Sequence, residues 1–259
     1  MSAETIIAWT DHTFNPWMGC TKVSAGCANC YAESLTKNRM GIAVWGAKAT
    51  RQITKSPWVN VKQWQREAKT GRPGVLGAGK PHLVFTGSLM DWAEDRRDLD
   101  APRLRMWSVI RSSPDLHFQL LTKRPENVER FLPNDWGDGY QNVWLGTSIE
   151  DMRVAKRADD LRHIPCVVRF VSYEPALGPL DDLDISGFDW VIYGGESGPG
   201  HRPEDKQWAR AMQAKCRGVG AAFFHKQSAG YRTEMGIELD GKIVREYPMR
   251  WQRQGVACG

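Results

Sequence analysis

Seven short apolar runs, rich in β-branched and aromatic residues, punctuate this chain at residues 5–9, 82–86, 117–121, 143–146, 167–171, 190–193 and 221–224. Each has the length and composition of a buried strand. Between them the apolar positions take a helical period: Leu104, Trp107, Val109 and Ile110 share one face, and Met152, Ala155, Ala158 and Leu161 share another. A further helix is predicted over residues 203–217, which open on Pro203, Glu204 and Asp205 and close on Lys215 and Arg217, the charge order that the helix macrodipole favours. Strands alternating with helices predict an α/β fold with a parallel sheet. Seven strands, each followed by a polar or glycine-bearing loop, suit a complete or partial (β/α) barrel, and the pattern leaves closure open. In such barrels the chemistry gathers at the C-terminal ends of the strands.

Two stretches lie outside that alternation. Residues 45–80 are long for a crossover and basic, with Lys48, Arg51, Lys55, Lys62, Arg66, Lys69 and Arg72. They read either as an inserted helical layer that touches substrate or as a solvated surface helix followed by the Gly/Pro-rich loop at 71–79. Near the C-terminus, Asp240-Gly241 sits between alternating runs and predicts a β-hairpin. The expected organisation is one barrel domain over residues 1–235, followed by a hairpin and tail over 236–259.

Composition narrows the class. The chain has 259 residues, 41% hydrophobic and 25% charged, enough for one large core. It contains no apolar run of membrane-spanning length, and Met1-Ser2-Ala3-Glu4-Thr5 lacks the start of a secretory signal, so a cytoplasmic protein without a membrane partner is expected. The net charge of +5 favours an anionic partner, and nucleic acid stays among the candidates. Of twelve tryptophans, Trp107, Trp144 and Trp190 sit in apolar runs and are assigned to the core. Six cysteines with no export signal, three of them crowded together, read as a metal or cluster site and not as disulfides.

That crowded segment is Gly19-Cys20-Thr21-Lys22-Val23-Ser24-Ala25-Gly26-Cys27-Ala28-Asn29-Cys30-Tyr31-Ala32-Glu33, with six residues between the first two cysteines and two between the last pair. Three thiolates can each hold one iron of a four-iron cluster and leave the fourth iron open. The rival reading is a zinc knuckle completed by His12 or a fourth cysteine. Cys166 and Cys216 are isolated and read as buried thiols, and Cys258 as part of the tail.

The three-cysteine loop after the first strand, ending Cys27-x-x-Cys30-Tyr31-Ala32, together with the β/α pattern, resembles the radical S-adenosylmethionine (SAM) superfamily. The spacing before Cys27 is longer than that superfamily's commonest pattern, and Asn29 stands where an aromatic residue is usual. Phe14-Asn15-Pro16-Trp17, Leu121-Thr122-Lys123-Arg124-Pro125, Val171-Ser172-Tyr173-Glu174-Pro175 and Gly194-Gly195-Glu196-Ser197-Gly198 are also similar to a phage and bacterial family of unknown function, often found beside three-Cys-motif partner proteins. The superfamily resemblance implies a [4Fe-4S] cluster on Cys20, Cys27 and Cys30 whose open iron chelates SAM. Electron transfer then cleaves SAM to methionine and a 5'-deoxyadenosyl radical, which abstracts a hydrogen atom from substrate. It also implies an electron donor of the flavodoxin or ferredoxin type.

On this resemblance the strand ends become a cofactor and substrate cup. Thr86, Gly87 and Ser88 are candidates for the SAM amino group, with Asp91 and Glu94 as charge complements, although an aspartate there can equally cap a helix. Thr147, Ser148, Ser172, Gly194, Gly195 and Glu196 complete the SAM-pocket candidates. Lys123 is expected to enter the cup in preference to its neighbour Arg124, because adjacent strand residues point apart. Glu174, Lys123 and Lys226 are the substrate or proton-transfer candidates, with Arg169, Lys123 and Lys226 as potential partners of Glu174 and Glu196; a structural salt bridge is the other account. Family context points to modification or repair of a nucleobase, so nucleic acid or a nucleotide-derived substrate is expected. Three rivals stand beside this reading: a nucleic-acid-binding protein with a structural zinc site, a cluster-binding partner without radical chemistry, and a hydrolase using Glu174 and Glu196 as acid and base.

Overall fold

A computed structural model of the chain describes residues 5–252. Its strands in chain order are β1 (His12–Phe14), β2 (Trp17–Met18), β3 (Gln52–Ile53), β4 (His82–Thr86), β5 (Leu116–Thr122), β6 (Val143–Ser148), β7 (Val168–Tyr173), β8 (Trp190–Gly194), β9 (Ala222–Gln227), β10 (Glu238–Leu239) and β11 (Lys242–Ile243). The α-helices are α1 (Tyr31–Ser34), α2 (Ser56–Lys69), α3 (Asp100–Arg111), α4 (Val128–Phe131), α5 (Lys156–Arg162) and α6 (Lys206–Val219). Seven strands form one parallel sheet in the order β1-β4-β5-β6-β7-β8-β9. β1 and β9 are its two edges, so the sheet is a partial barrel. The predicted hairpin is β10 and β11, turning through Asp240 (φ 53°) and Gly241 (φ 74°), and β2 pairs with β3 in a second small ribbon.

The sheet is buried on both faces, and strand parity assigns each side chain to one of two cores. Val84, Val143, Leu145, Val171, Val191 and Phe223 pack outward with helix residues such as Trp64, Met106, Leu161 and Met212. Leu83, Phe85, Trp144, Val168, Phe170, Trp190, Ile192 and Phe224 face the concave side, where Trp9 joins them. Trp190 is the hub: its ring lies 6.1 Å from Trp9, 5.9 Å from Trp144 and 5.4 Å from Tyr247. Gly146 makes room for this plug, since a Cβ there would lie 2.2 Å from the Phe170 ring. Trp107, Trp144 and Trp190 are all core residues, as expected.

Several expectations change. Residues 5–9 form no strand; the first strand is His12–Phe14, just past that run. Side chains set that boundary: Thr10 Oγ1 donates to the Leu83 carbonyl and accepts from the Phe85 amide, and Asp11 accepts from the Leu83 amide. In α3 the buried face is Arg103, Met106, Trp107 and Ile110, while Leu104 is 70% exposed. Met152 lies in a 3-10 turn before α5 and is exposed, so the apolar face there is carried by Ala158 and Leu161. The helix expected from Pro203 begins at Lys206, where Asp205 accepts from the Gln207 amide, and ends at Gly220. In the 45–80 stretch, α2 buries Trp58, Val61 and Trp64 and leaves Lys62, Arg66 and Lys69 exposed, whereas Arg51 is buried. Cys166 and Cys216 are buried free thiols, and Cys258 lies outside the described residues. No helix among the described residues is long and apolar enough to cross a membrane.

Trp190→Ala is expected to lower the unfolding free energy by about 3–5 kcal/mol. Leu104→Ala, on the same measurement by urea titration, should change it by no more than about 0.5 kcal/mol.

Candidate functional site

A cavity of about 420 Å³ opens above the aromatic plug, in the size range of a small-molecule site. Parity explains its wall. Continuing the inward-facing series of each strand past the plug brings Asn15, Gly87, Lys123, Ser148, Ser172, Glu174 and Lys226 to the cavity, at the C-terminal ends of β1, β4, β5, β6, β7 and β9. Cys20, Cys27 and Cys30 line the same cavity from the loop that follows β2, joined by Ser88, Asp91, Gly195 and Glu196. Thr86 and Thr147 have the opposite parity, and neither lines the cavity; Thr147 donates to the Thr122 carbonyl and Thr86 Oγ1 is buried without a partner. Gly194 has inward parity and is covered, since a Cβ there would lie 2.9 Å from the Glu174 carboxyl carbon.

The cysteine loop has little regular structure of its own and is tied down by strand-end side chains. Asn15 donates to Ser88 Oγ (2.8 Å) and accepts from the Leu89 amide (2.8 Å), and the Gly19 amide donates to the Leu89 carbonyl (2.9 Å). Ser24 donates to Glu150 (2.8 Å), which also pairs with Lys123 and Arg157, both at 2.8 Å. Gly26 lies against this carboxylate so closely that a Cβ would sit 2.3 Å from Oε1. Burial opposes the Glu150 charge, yet Lys123 and Arg157 hold its carboxyl below the ordinary range. On the far side Asn29 and the Arg202 amide and Nε donate to Glu196 Oε2, each at 2.9 Å, and Arg202 Nη1 donates to the Ala25 carbonyl. Burial again opposes the charge of Glu196, and the bonds from Arg202 and Asn29 outweigh it.

Around Cys20 a buried network of charges replaces solvent. Asp91 accepts from Thr122 Oγ1 (2.5 Å), the Ala93 and Lys123 amides (3.1 Å each) and Arg124 Nη1 (2.8 Å). Arg124 Nη1 is also 3.4 Å from Cys20 Sγ, and Nη2 donates to the Thr21 carbonyl. Behind it Arg51 grips Glu94 through two bonds of 2.8 and 2.7 Å and donates to the carbonyls of Val44, Gly46 and Ala49 and to Thr21 Oγ1. Burial pushes the Cys20 thiol up to about 12, with Asp91 adding to the rise and Arg124 opposing it; burial also raises Cys30. Glu94 is held below its ordinary range, because the bonds from Arg51 and Thr21 outweigh its burial.

These contacts redistribute the expected roles. Asp91 accepts two bonds at each oxygen and holds Arg124, and Glu94, which does not line the cavity, holds Arg51. Both Lys123 and Arg124 line the cavity: both lie past the end of β5, where strict alternation no longer applies, and Arg124 turns to Asp91 and Cys20. Lys226 pairs with Glu174, and the partner of Glu196 is Arg202; Arg169 instead donates to the carbonyls of Leu161, Ile164 and Gly187. Sequence reasoning missed Arg202, Arg157 and Arg51. The position of Arg124 beside Lys123 in a polar strand end was its only signal.

The donor set bears on the metal. The three cysteines are free, and His12, Cys166 and Cys216 lie off the cavity. The three Sγ atoms do not all lie within 4.8 Å of one another. Thiolates on one tetrahedral zinc, at about 2.3 Å each, lie about 3.8 Å apart, closer than all three stand here.

A family model described as a protein of unknown function, DUF5131, matches residues 4–248. No curated protein and no solved structure matches the chain.

Glu94→Gln leaves Arg51 buried without its counter-charge and is expected to cost about 3–5 kcal/mol at neutral pH, measured by denaturant titration. Because folding depresses the Glu94 pKa, its contribution is complete above the ordinary value of 4.5 and is lost as pH falls through the lower folded value. The variant should therefore show a shallower acid limb than the parent.

Proposed function

The chain belongs to the DUF5131 family of proteins of unknown function, and we propose that it is a radical SAM enzyme with a [4Fe-4S] cluster on Cys20, Cys27 and Cys30. The observation that carries this reading is the meeting of three free thiols from one loop with the inward strand-end residues on the wall of a single cavity. Such a cluster supplies the electron that cleaves SAM and so starts radical chemistry on the substrate.

The chain's own residues have separable tasks in this proposal. Arg124, Glu150 and Arg202 fix the cysteine loop at three points, which limits the reorganisation needed to hold a cluster. Gly87, with φ of 113°, leaves bare backbone at the rim, and Ser88, Ser148 and Ser172 offer hydroxyls to a polar cofactor. The aromatic plug closes the floor and excludes water from that side. Glu174 and Lys226 face the cavity as a bonded pair and are the groups proposed to hold or move a proton next to substrate. The net charge of +5 and Lys22 on the cavity wall favour an anionic substrate, and a nucleobase-containing one is proposed. A flavodoxin- or ferredoxin-like protein is the proposed electron donor.

After anaerobic reconstitution with iron and sulfide, the reduced protein is expected to give a four-iron paramagnetic resonance signal that changes when SAM is added. Cys27→Ser should lose it. Stoichiometric zinc in the cavity, with no iron cluster, would overturn the reading. Arg124→Gln removes the N–H donor facing Cys20 Sγ, and in the reconstituted protein it is expected to shift the reduction potential to more negative values while the cluster is retained.

A further inference from the structure

Away from the cavity, three side chains that no catalytic role uses converge where α2 crosses the edge of the sheet. His12 opens β1, His82 opens the neighbouring strand β4, and Glu67 lies in the last turn of α2. Among the described residues, they are the one group of three His, Cys, Asp or Glu side chains whose ligand atoms all lie within 4.8 Å of one another. We propose that His12, His82 and Glu67 form a structural site for a zinc-class divalent cation that pins α2 to the edge strand β1.

Four features support a metal over a chance cluster. His12 Nε2 and His82 Nδ1 are 3.1 Å apart, close to the roughly 3.3 Å edge of a tetrahedron with ligands at about 2.0–2.1 Å. The other ring nitrogen of His82 lies 2.8 Å from the Arg72 carbonyl, so its N–H is donated there and Nδ1 keeps its lone pair. That is the usual outer bond of a metal-bound histidine. The His12 ring is 5% exposed and stacks on Trp64 at 4.5 Å, which fixes the orientation in which its Nε2 meets His82. Glu67 accepts one bond at each oxygen, from Gln63 (2.8 Å) and from Arg72 (3.0 Å), which leaves a lone pair on each for a cation.

Position argues for a structural task. Both histidines lie at the N-terminal ends of their strands, opposite the cavity, on the side of a β/α sheet that serves stability. β1 is three residues long and pairs with β4 alone within the large sheet, so few backbone bonds hold it. Three protein ligands leave a fourth position for water, and the partly exposed Glu67 side chain gives a route in.

The site shares no residue with the cysteine loop, so its test is independent of the cluster reading. Full-length protein is stripped with chelator and melted with and without zinc. Zinc is expected to raise the melting temperature of the parent and of the Cys20→Ser/Cys27→Ser/Cys30→Ser variant equally, and to have no effect on His82→Gln. Glu67→Gln, at a half-buried helix position, serves if His82→Gln fails to fold. Cobalt bound to the triple-serine variant should show ligand-field bands without thiolate charge transfer. No melting shift and no cobalt bands in that variant, or cobalt bands that survive both His82→Gln and Glu67→Gln, would overturn the proposal.

Discussion

A parallel sheet covered on both faces must place every residue of every strand in one of two interiors, and this constraint organises the molecule. Its strands carry apolar side chains that fill the concave side or the helix layer, and the same twofold alternation carries on past the plug into a polar rim. Stability and site geometry are thus written in one register. The ring of Trp190 and the side chain of Lys226 belong to the same inward-facing layer, one filling the floor and the other facing the cavity.

The loop carrying the cysteines has no such register to follow, and charge takes over the task. Asp91 with Arg124, Glu94 with Arg51, Glu150 with Lys123 and Arg157, and Glu196 with Arg202 surround it, most of them buried. Such pairs are weak sources of net stability once desolvation is counted, but they are demanding about geometry. Their placement around one irregular segment fits a requirement for position in a loop whose regular structure before Cys30 is a single 3-10 turn at Ala25–Cys27.

Much of the fold was legible because a strand's signal is local. Six of the seven predicted runs overlap strands of the sheet, and the Asp240-Gly241 turn names its hairpin. Residues 5–9 failed because Ile7 and Trp9 carry the composition of a strand while serving as side chains of the inner core. The site was legible in part. Parity alone separates Lys123, Ser148 and Ser172, which reach the cavity, from Thr86 and Thr147, which do not. Arg51, Arg157 and Arg202 were not legible: 43 residues separate Arg51 from Glu94, and although Arg157 and Arg202 are near Glu150 and Glu196 in sequence, irregular turns between them set which way each long side chain reaches.

Gly146 and the Phe170 ring share a single volume inside the barrel. Any side chain at 146 has to be matched by a smaller one at 170, and a smaller residue at 170 alone leaves a void that only a larger 146 can fill. The two positions on neighbouring strands therefore behave as one mutational unit, and their substitutions are expected to be strongly non-additive.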